Sequence, residues 1–274
     1  MTVLTDVLQT NVLRGPTLRA RDRYFAPIAL APFAGDIARR LARFSVGPLL
    51  EIAADTGVLT QAAASALSAG LTIVATDPAA EMVEHASGKP GMARVTWQQA
   101  DPRALPFKEG TFGIATCHFG LASMKDRIGA FQEVRRVMRQ GGRFIFSVPG
   151  PISQNPVAAC LQDALDAFFP DDPPRSIGHG LHGYADNEAI DADLTTAGFT
   201  DAVYSTAELR FSAASARDVA LGYCLGTPLR PELEARTSGD TEPVLQAVAR
   251  ALADRFGGGA VVSTMRAHIV SAAG

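Results

Sequence analysis

The feature that most constrains the fold is the alternation of short apolar runs with helical stretches between residues 49 and 148. Most runs are too short for helices and too apolar for strands with one wet face, which is typical of strands buried on both faces of a parallel sheet. Intervening helical periodicity predicts crossover connections, hence a doubly wound α/β domain that binds ligands at the carboxyl ends of its strands. The runs are Leu49–Ala53, Leu71–Thr76, Val95–Gln99, Phe112–His118 and Arg143–Val148.

A helical segment precedes this core. From Thr17 to Phe44 the apolar positions recur at helical intervals, and we expect Pro27 and Pro32 to break the segment into separate helices. We therefore divide this part of the chain into residues 1–46, N-terminal helices that cover the site, and residues 47–150, the nucleotide-binding core.

The remaining chain, residues 151–274, is less regular. It contains several helical stretches and a Pro- and Gly-rich segment, PDDPPRSIGHGLHG, whose composition suits a lid over a substrate. Apolar runs near residues 202–211 and 260–270 predict two more strands. The fold class that follows is α/β, with a mainly parallel seven-stranded sheet, an N-terminal helical segment and an inserted lid subdomain.

Composition narrows the range of partners. The net charge is -3, from 25 basic and 28 acidic residues without long runs of one sign. The sequence therefore shows no basic patch of the kind that binds nucleic acid, and a small-molecule substrate is favoured. Cys117, Cys160 and Cys224 are too widely spaced for a disulfide framework or a metal site, so we expect a cytoplasmic protein without metal. No apolar run approaches the ~18 residues of a membrane span. A homodimer is compatible with the sequence.

Five segments occur in the order and spacing of a known family: LLEIAADTGVLT, ATDPAAEM, QQADPRALPF, FGIATCHFGL and EVRRVMRQGGRFIFSV. From about Tyr24 to Pro156 the chain resembles class I S-adenosylmethionine-dependent methyltransferases, and most closely the branch of the ubiquinone and menaquinone C-methyltransferases. The resemblance implies a Rossmann-like methyltransferase fold, S-adenosylmethionine as cofactor and S-adenosylhomocysteine as product. It also implies methyl transfer to a small or medium-sized apolar metabolite, as in secondary metabolism.

The resemblance also implies roles for three acidic residues. Glu51 would help to hold the methionine moiety, Asp77 would accept hydrogen bonds from both ribose hydroxyls, and Asp101 would receive the adenine amine. Alternatively, Glu51 faces solvent at a strand end, and Asp77 caps the helix that begins at Pro78. The full set of implied cofactor-binding positions is Glu51, Ala53, Asp55, Gly57, Asp77, Pro78, Met82, Asp101, Pro102, Cys117 and His118.

Candidate catalytic and substrate-binding residues lie beyond these positions. His118 ends the fourth strand, where the family places groups beside the sulfonium, and is our candidate for a general base or a substrate-orienting group. The alternative is a hydrogen-bonded structural histidine. Phe119 follows His118 and is expected beside the sulfonium as well. His179 and His182 belong to the expected lid. Tyr24, in the N-terminal helix, would either close over the ligand or pack against the rest of the protein.

The cofactor loop departs from the family at one important position. The family pattern reads acid-x-Gly/Ala-x-Gly-x-Gly, but this chain has Ala53 and Asp55 at the first two glycine positions and keeps only Gly57. Two unscreened like charges at ~4 Å, here Asp55 and the ligand carboxylate, cost from ~1 kcal/mol in water to several when partly buried. Cofactor binding is therefore in question, and two alternatives stay open: a non-methylating enzyme of the cyclase or pericyclase type, and a pseudo-enzyme.

Overall fold

The computed structural model of the protein describes residues 15–44 and 47–274. Its centre is a seven-stranded sheet with the strand order β3-β2-β1-β4-β5-β7-β6. The strands are β1 Leu49–Glu51, β2 Ile73–Asp77, β3 Val95–Gln99, β4 Phe112–His118, β5 Met138–Pro149, β6 Thr200–Ala213 and β7 Val261–Ala273. The first five pair in parallel, whereas β7 pairs antiparallel with both β5 and β6. The predicted fold class is confirmed.

Burial explains why the central strands form. Every residue of β1, β2 and β4 is buried, as expected for strands with helices packed on both faces. The strand order reverses at β1, whose neighbours are β2 on one side and β4 on the other. The connection from β1 leads to β2 on one side, and the connection from β3 returns to β4 on the other side, which opens a crevice at the carboxyl ends of these strands.

Ten α-helices lie in the part of the chain that the structure describes. They are α1 Pro16–Ala20, α2 Ala31–Leu41, α3 Val58–Ala66, α4 Ala80–Ser87, α5 Arg127–Val137, α6 Pro156–Phe168, α7 Asn187–Thr196, α8 Ala216–Leu225, α9 Leu229–Arg236 and α10 Glu242–Phe256. A membrane-spanning helix is not found among the described residues. Nor do those residues contain a group of three or more metal-ligating side chains.

The prediction that prolines break the N-terminal helices is wrong. A π-helical segment, Arg21–Leu30, joins α1 to α2, so the helix runs on through Pro27. The wider π turn accommodates the missing N–H of Pro27, and Pro32 lies in the first turn of α2. Residues 1–14 and 45–46 of the predicted N-terminal unit lie outside the described residues.

Candidate active site

A cavity of about 400 Å³ opens at the reversal of strand order. It is bounded by the loop after β1, the end of β2, the turn after β4, the N-terminal helix and the segment between α6 and α7. Its lining residues are Arg21, Ala53, Asp55, Asp77, Ala79, Met82, His118, Phe119, Gly120, Ala122, Ser123, Met124, Lys125, Arg175, Ser176, His179, Gly180, Leu181, Thr227 and Pro228. Such a volume suits a small-molecule ligand.

The loop after β1 keeps a left-handed backbone at three alternate positions. The φ angles of Ala53, Asp55 and Gly57 are 51°, 55° and 78°, all in the region that glycine adopts most easily. Asp55 tolerates this conformation because its side chain bonds locally, with Thr56 N donating to Asp55 Oδ1 at 2.7 Å. Two of the three glycine positions of the family pattern are thus occupied by residues with a Cβ that nevertheless have positive φ.

The charge of Asp55 is compensated by Arg21, a residue that the sequence did not single out. Arg21 Nε donates to both carboxylate oxygens at 2.7 Å, and a second guanidinium nitrogen also contacts Oδ2. The two side chains are 11% and 18% exposed, so the pair is largely screened from water. Arg21 Nη1 further donates to the carbonyl of Gly226 at 3.1 Å, which ties the N-terminal helix, the loop and the end of α8 together.

Two buried carboxyls lie behind this pair. Asp77 ends β2 and accepts from Ala79 N at 2.9 Å and from Asp55 N at 3.0 Å, and burial raises its pKa to about 7. Glu51 is turned away from the cavity and accepts from Thr60 Oγ1 at 2.6 Å; burial, then the charges of Asp55 and Asp77, raise its pKa to about 8. Of these two buried carboxyls, only that of Asp77 lines the cavity.

His118 has hydrogen bonds at both ring nitrogens. Nδ1 lies 2.6 Å from Ser147 Oγ on β5, and Nε2 lies 3.0 Å from the carbonyl of Leu30. Since a carbonyl only accepts, Nε2 carries the proton, and Nδ1 accepts from the serine hydroxyl. Burial lowers the pKa of His118 to about 4, which keeps the ring neutral. This geometry favours the structural alternative over the general base.

Comparisons with known proteins identify the core of the chain. Residues 50–146 match a family described as methyltransferase domain. A ubiquinone/menaquinone biosynthesis C-methyltransferase of Geotalea uraniireducens (strain Rf4) is 33% identical over 128 residues, which are 41% of this chain and 54% of that protein. The chain thus spans about half the length of the curated relatives that it matches.

Two solved structures share the fold at low identity. Phosphoethanolamine N-methyltransferase 2 of Haemonchus contortus, in complex with S-adenosylhomocysteine, has a TM-score of 0.59 at 15% identity, over 98% of this chain and 59% of that one. The cyclase SpnF has a TM-score of 0.56 at 16% identity, over 97% and 94% of the respective chains. The family match decides what the core of the chain is. Residues 50–146 are a class I methyltransferase domain.

Several residues expected at the cofactor site of the methyltransferase domain do not line the cavity. Asp101 pairs with Arg103 and its neighbour Pro102 is buried, while Cys117 is fully buried, which raises its thiol pKa to about 12. Gly57 faces the packed side chains of α4 and β3 rather than the cavity. Four of the predicted cofactor residues besides His118 do line it. They are Ala53, Asp55, Asp77 and Met82.

The predicted substrate residues divide in the same way. Phe119 and His179 line the cavity, whereas Tyr24 and His182 do not. Tyr24 faces a separate surface depression, since its helix turns Arg21 inward instead. His182 is buried, with Nδ1 2.7 Å from the carbonyl of Gly150, so it holds the end of β5.

On one side of the cavity, the domain offers the hydrogen-bond acceptor that the cofactor's hydroxyl groups require. Asp77 is a buried carboxyl whose two oxygens each accept one backbone N–H, which leaves further lone pairs toward the cavity. Ala79 and Met82 supply apolar surface beside it. At the other side, Arg21 neutralises Asp55 and retains N–H groups beyond those it uses. The residues present therefore fit S-adenosylmethionine despite the substituted loop.

Proposed function

We propose that the chain transfers a methyl group from S-adenosylmethionine to oxygen, nitrogen or carbon of a small or medium-sized apolar metabolite. The observation that carries the proposal is the backbone of the cofactor loop, where Ala53 and Asp55 have the positive φ that glycine adopts most easily. Asp77 would accept hydrogen bonds from the ribose hydroxyls. Arg21 would neutralise the charge of Asp55 near the ligand carboxylate. When bound, the cofactor supplies a methyl group on a sulfonium, which is activated for displacement.

The remaining task of the protein is to hold the acceptor in line with that methyl group and to exclude water. Phe119 and Leu181 line the cavity from the two segments that would cover the acceptor. We propose that the segment between α6 and α7 acts as the lid, with His179 on its inner surface. His118 would position the turn after β4 instead of accepting a proton. The cytoplasmic location and the homodimer expected from the sequence stay predictions.

Both alternatives, a non-methylating enzyme and a pseudo-enzyme, rest on Asp55 at the central glycine position of the cofactor loop. A negative charge at that position would repel the ligand carboxylate. The bonds from Arg21 weaken that repulsion, because the positive charge of the guanidinium offsets the negative charge of Asp55 that the ligand carboxylate would meet. Methyl transfer is therefore the function that the geometry supports best.

Equilibrium binding tests the cofactor site on which the proposal depends. Isothermal titration with S-adenosylhomocysteine should give micromolar affinity for the native protein. Asp77→Asn should weaken it about tenfold or more, since it removes a charged acceptor. Asp163→Asn, at an exposed position of α6, is the matched control, and circular dichroism checks that each variant is folded. Equal affinities of the native protein and Asp77→Asn, or no binding at all, would overturn the proposal.

A further inference from the structure

Three basic side chains line one part of the cavity: Lys125, Arg175 and His179. They come from two segments that pack against each other. Lys125 follows the 3-10 turn Gly120–Ser123, and the other two belong to the segment that includes the π turn Ser176–Leu181. The basic groups therefore share the side of the cavity formed by these turns, away from the strand ends that carry the acidic residues.

The described lining contains no carboxylate on that side. Its two acidic residues, Asp55 and Asp77, follow β1 and β2, and Asp55 is already paired with Arg21. Arg175 Nη1 lies 3.5 Å from Asp166, but both side chains are about half exposed, so this contact is weak. Asp172, another acid of the same segment, pairs with Arg236 outside the cavity lining.

The backbone around Arg175 is held in place. Its N–H donates to Glu232 Oε2 at 3.0 Å, and the same carboxylate accepts from the hydroxyl of Ser176. Gln162 Nε2 donates to the carbonyl of Pro174 at 3.0 Å. These bonds fix the segment to α6 and α9, so the root of the arginine side chain is set before any ligand arrives.

Apolar side chains line the same cavity as the basic groups. They are Phe119, Met124, Leu181 and Pro228. A ligand that satisfies both surfaces has an apolar body and an anionic group at one end. Arginine binds carboxylates and phosphates with two parallel N–H bonds, and lysine adds a point charge.

We propose that the methyl acceptor carries a carboxylate or phosphate group, which Lys125, Arg175 and His179 bind at the mouth of the cavity. The inference rests on the proposed function for the role of acceptor, but the anion site is testable without cofactor. The apolar body lies against Phe119 and Leu181, and the anionic end sets its orientation. The site thus selects an amphipathic anion over a neutral analogue of the same shape.

Matched probe pairs test this selectivity. Isothermal titration compares 1-naphthoate with 1-naphthamide and 1-naphthyl phosphate with 1-naphthol, at constant ionic strength and without cofactor. At least one anion should bind about tenfold more tightly than its neutral partner, and the stronger of the two identifies the group. Lys125→Gln/Arg175→Gln should reduce that preference to about twofold or less. The control Lys108→Gln/Arg210→Gln, at exposed positions outside the cavity, should leave it unchanged.

Two results would overturn the inference: equal binding of anion and neutral partner, or an anion preference that survives in Lys125→Gln/Arg175→Gln. A titration with S-adenosylhomocysteine on the same preparations separates the two proposals. If the nucleoside binds and no anion preference exists, only the inference fails. If the preference exists and the nucleoside does not bind, the anion site stands and the proposed methyl transfer fails.

Discussion

At the scale of single residues, backbone strain marks the cavity. A left-handed conformation costs an L-residue with a Cβ roughly 1–2 kcal/mol. Five described residues other than glycine have positive φ, and three of them, Ala53, Asp55 and Phe119, line the cavity. Strain of this kind persists where the surrounding structure fixes it and is concentrated at functional sites. The sequence revealed the substitution at Asp55, but its partner Arg21 lies 34 positions away and no local pattern indicates it.

The pair makes a prediction about stability. Arg21→Met should lower the free energy of unfolding by ~2–3 kcal/mol, because it leaves the poorly exposed carboxylate of Asp55 next to Asp77. Arg21→Met/Asp55→Gly should recover most of that loss, since the charge and the strain are both removed. Urea denaturation measures both, with Arg39→Met on the exposed face of α2 as the control. A value for Arg21→Met within ~0.5 kcal/mol of the native protein would contradict this.

Burial of Glu51 makes a prediction about pH. Its pKa is raised to about 8, and that of Asp77 to about 7, whereas both titrate near 4 in an unfolded chain. The folded protein holds these protons more tightly, so the stability they confer is full below about pH 4 and is lost as the pH rises through 8.

The free energy of unfolding should therefore fall from pH 5 to pH 8. Glu51→Gln keeps an acceptor for Thr60 without the charge and should flatten this fall by ~1–3 kcal/mol. Urea denaturation at several pH values measures the slope, and Glu188→Gln at an exposed position of α7 is the control. Parallel curves for the native protein and Glu51→Gln would show that Glu51 does not titrate in this range.

At the scale of elements, the N-terminal helix is the part that periodicity predicted least well. The helical spacing from Thr17 onward is confirmed, but Pro27 does not end a helix, because it lies inside the π-helical segment. Whether a helix forms a π turn depends on which of its backbone N–H and C=O groups bond to other parts of the protein. That segment packs on α8 and supplies the Leu30 carbonyl that accepts from His118. Such partners come from residues 88 positions apart, which a local reading of sequence cannot include.

His118 connects three elements, and its protonation can be measured. Because burial lowers its pKa to about 4, its ring should stay neutral from pH 5 to pH 8, with the proton on Nε2. Two-dimensional 15N NMR of the imidazole nitrogens reports both the tautomer and the titration, and His118→Gln assigns the resonance. A His118 resonance that titrates near pH 6.5 would restore the role of general base.

Close packing of α8 against the N-terminal helix gives a second prediction at this scale. A Cβ at Gly226 would lie 2.6 Å from the carbonyl of Gly222 and 2.8 Å from Arg21 Cα, both of them backbone atoms. Gly226→Ala should therefore cost ~1–3 kcal/mol and displace Arg21. Gly70→Ala meets nothing within 4 Å and is the control. Thermal unfolding compares the two, and equal melting temperatures would mean that this contact is not tight.

At the scale of the whole molecule, the sequence predicted the parallel part of the sheet and the position of the cavity at its strand ends, but not all of the cavity lining. The five apolar runs and the helical stretches between them predicted the parallel strands β1 to β5, because strands buried on both faces consist almost entirely of apolar residues. The antiparallel pairing of β7 with β5 and β6, and the basic residues Lys125 and Arg175 of the cavity, depend on how distant segments meet. The sequence identified the strand ends and two of the lining carboxyls, Asp55 and Asp77, but not the cations Arg21, Lys125 and Arg175.

The central claim is that Arg21 makes the substituted loop competent for cofactor. Isothermal titration of the native protein, Arg21→Met, Asp55→Gly and Arg21→Met/Asp55→Gly with S-adenosylmethionine tests this most directly. Micromolar binding by the native protein, a loss of about tenfold or more in Arg21→Met, and recovery in the double variant are the results expected from a neutralised Asp55. No binding by the native protein, with affinity appearing only in Asp55→Gly, would contradict the account and make a non-methylating function the better explanation.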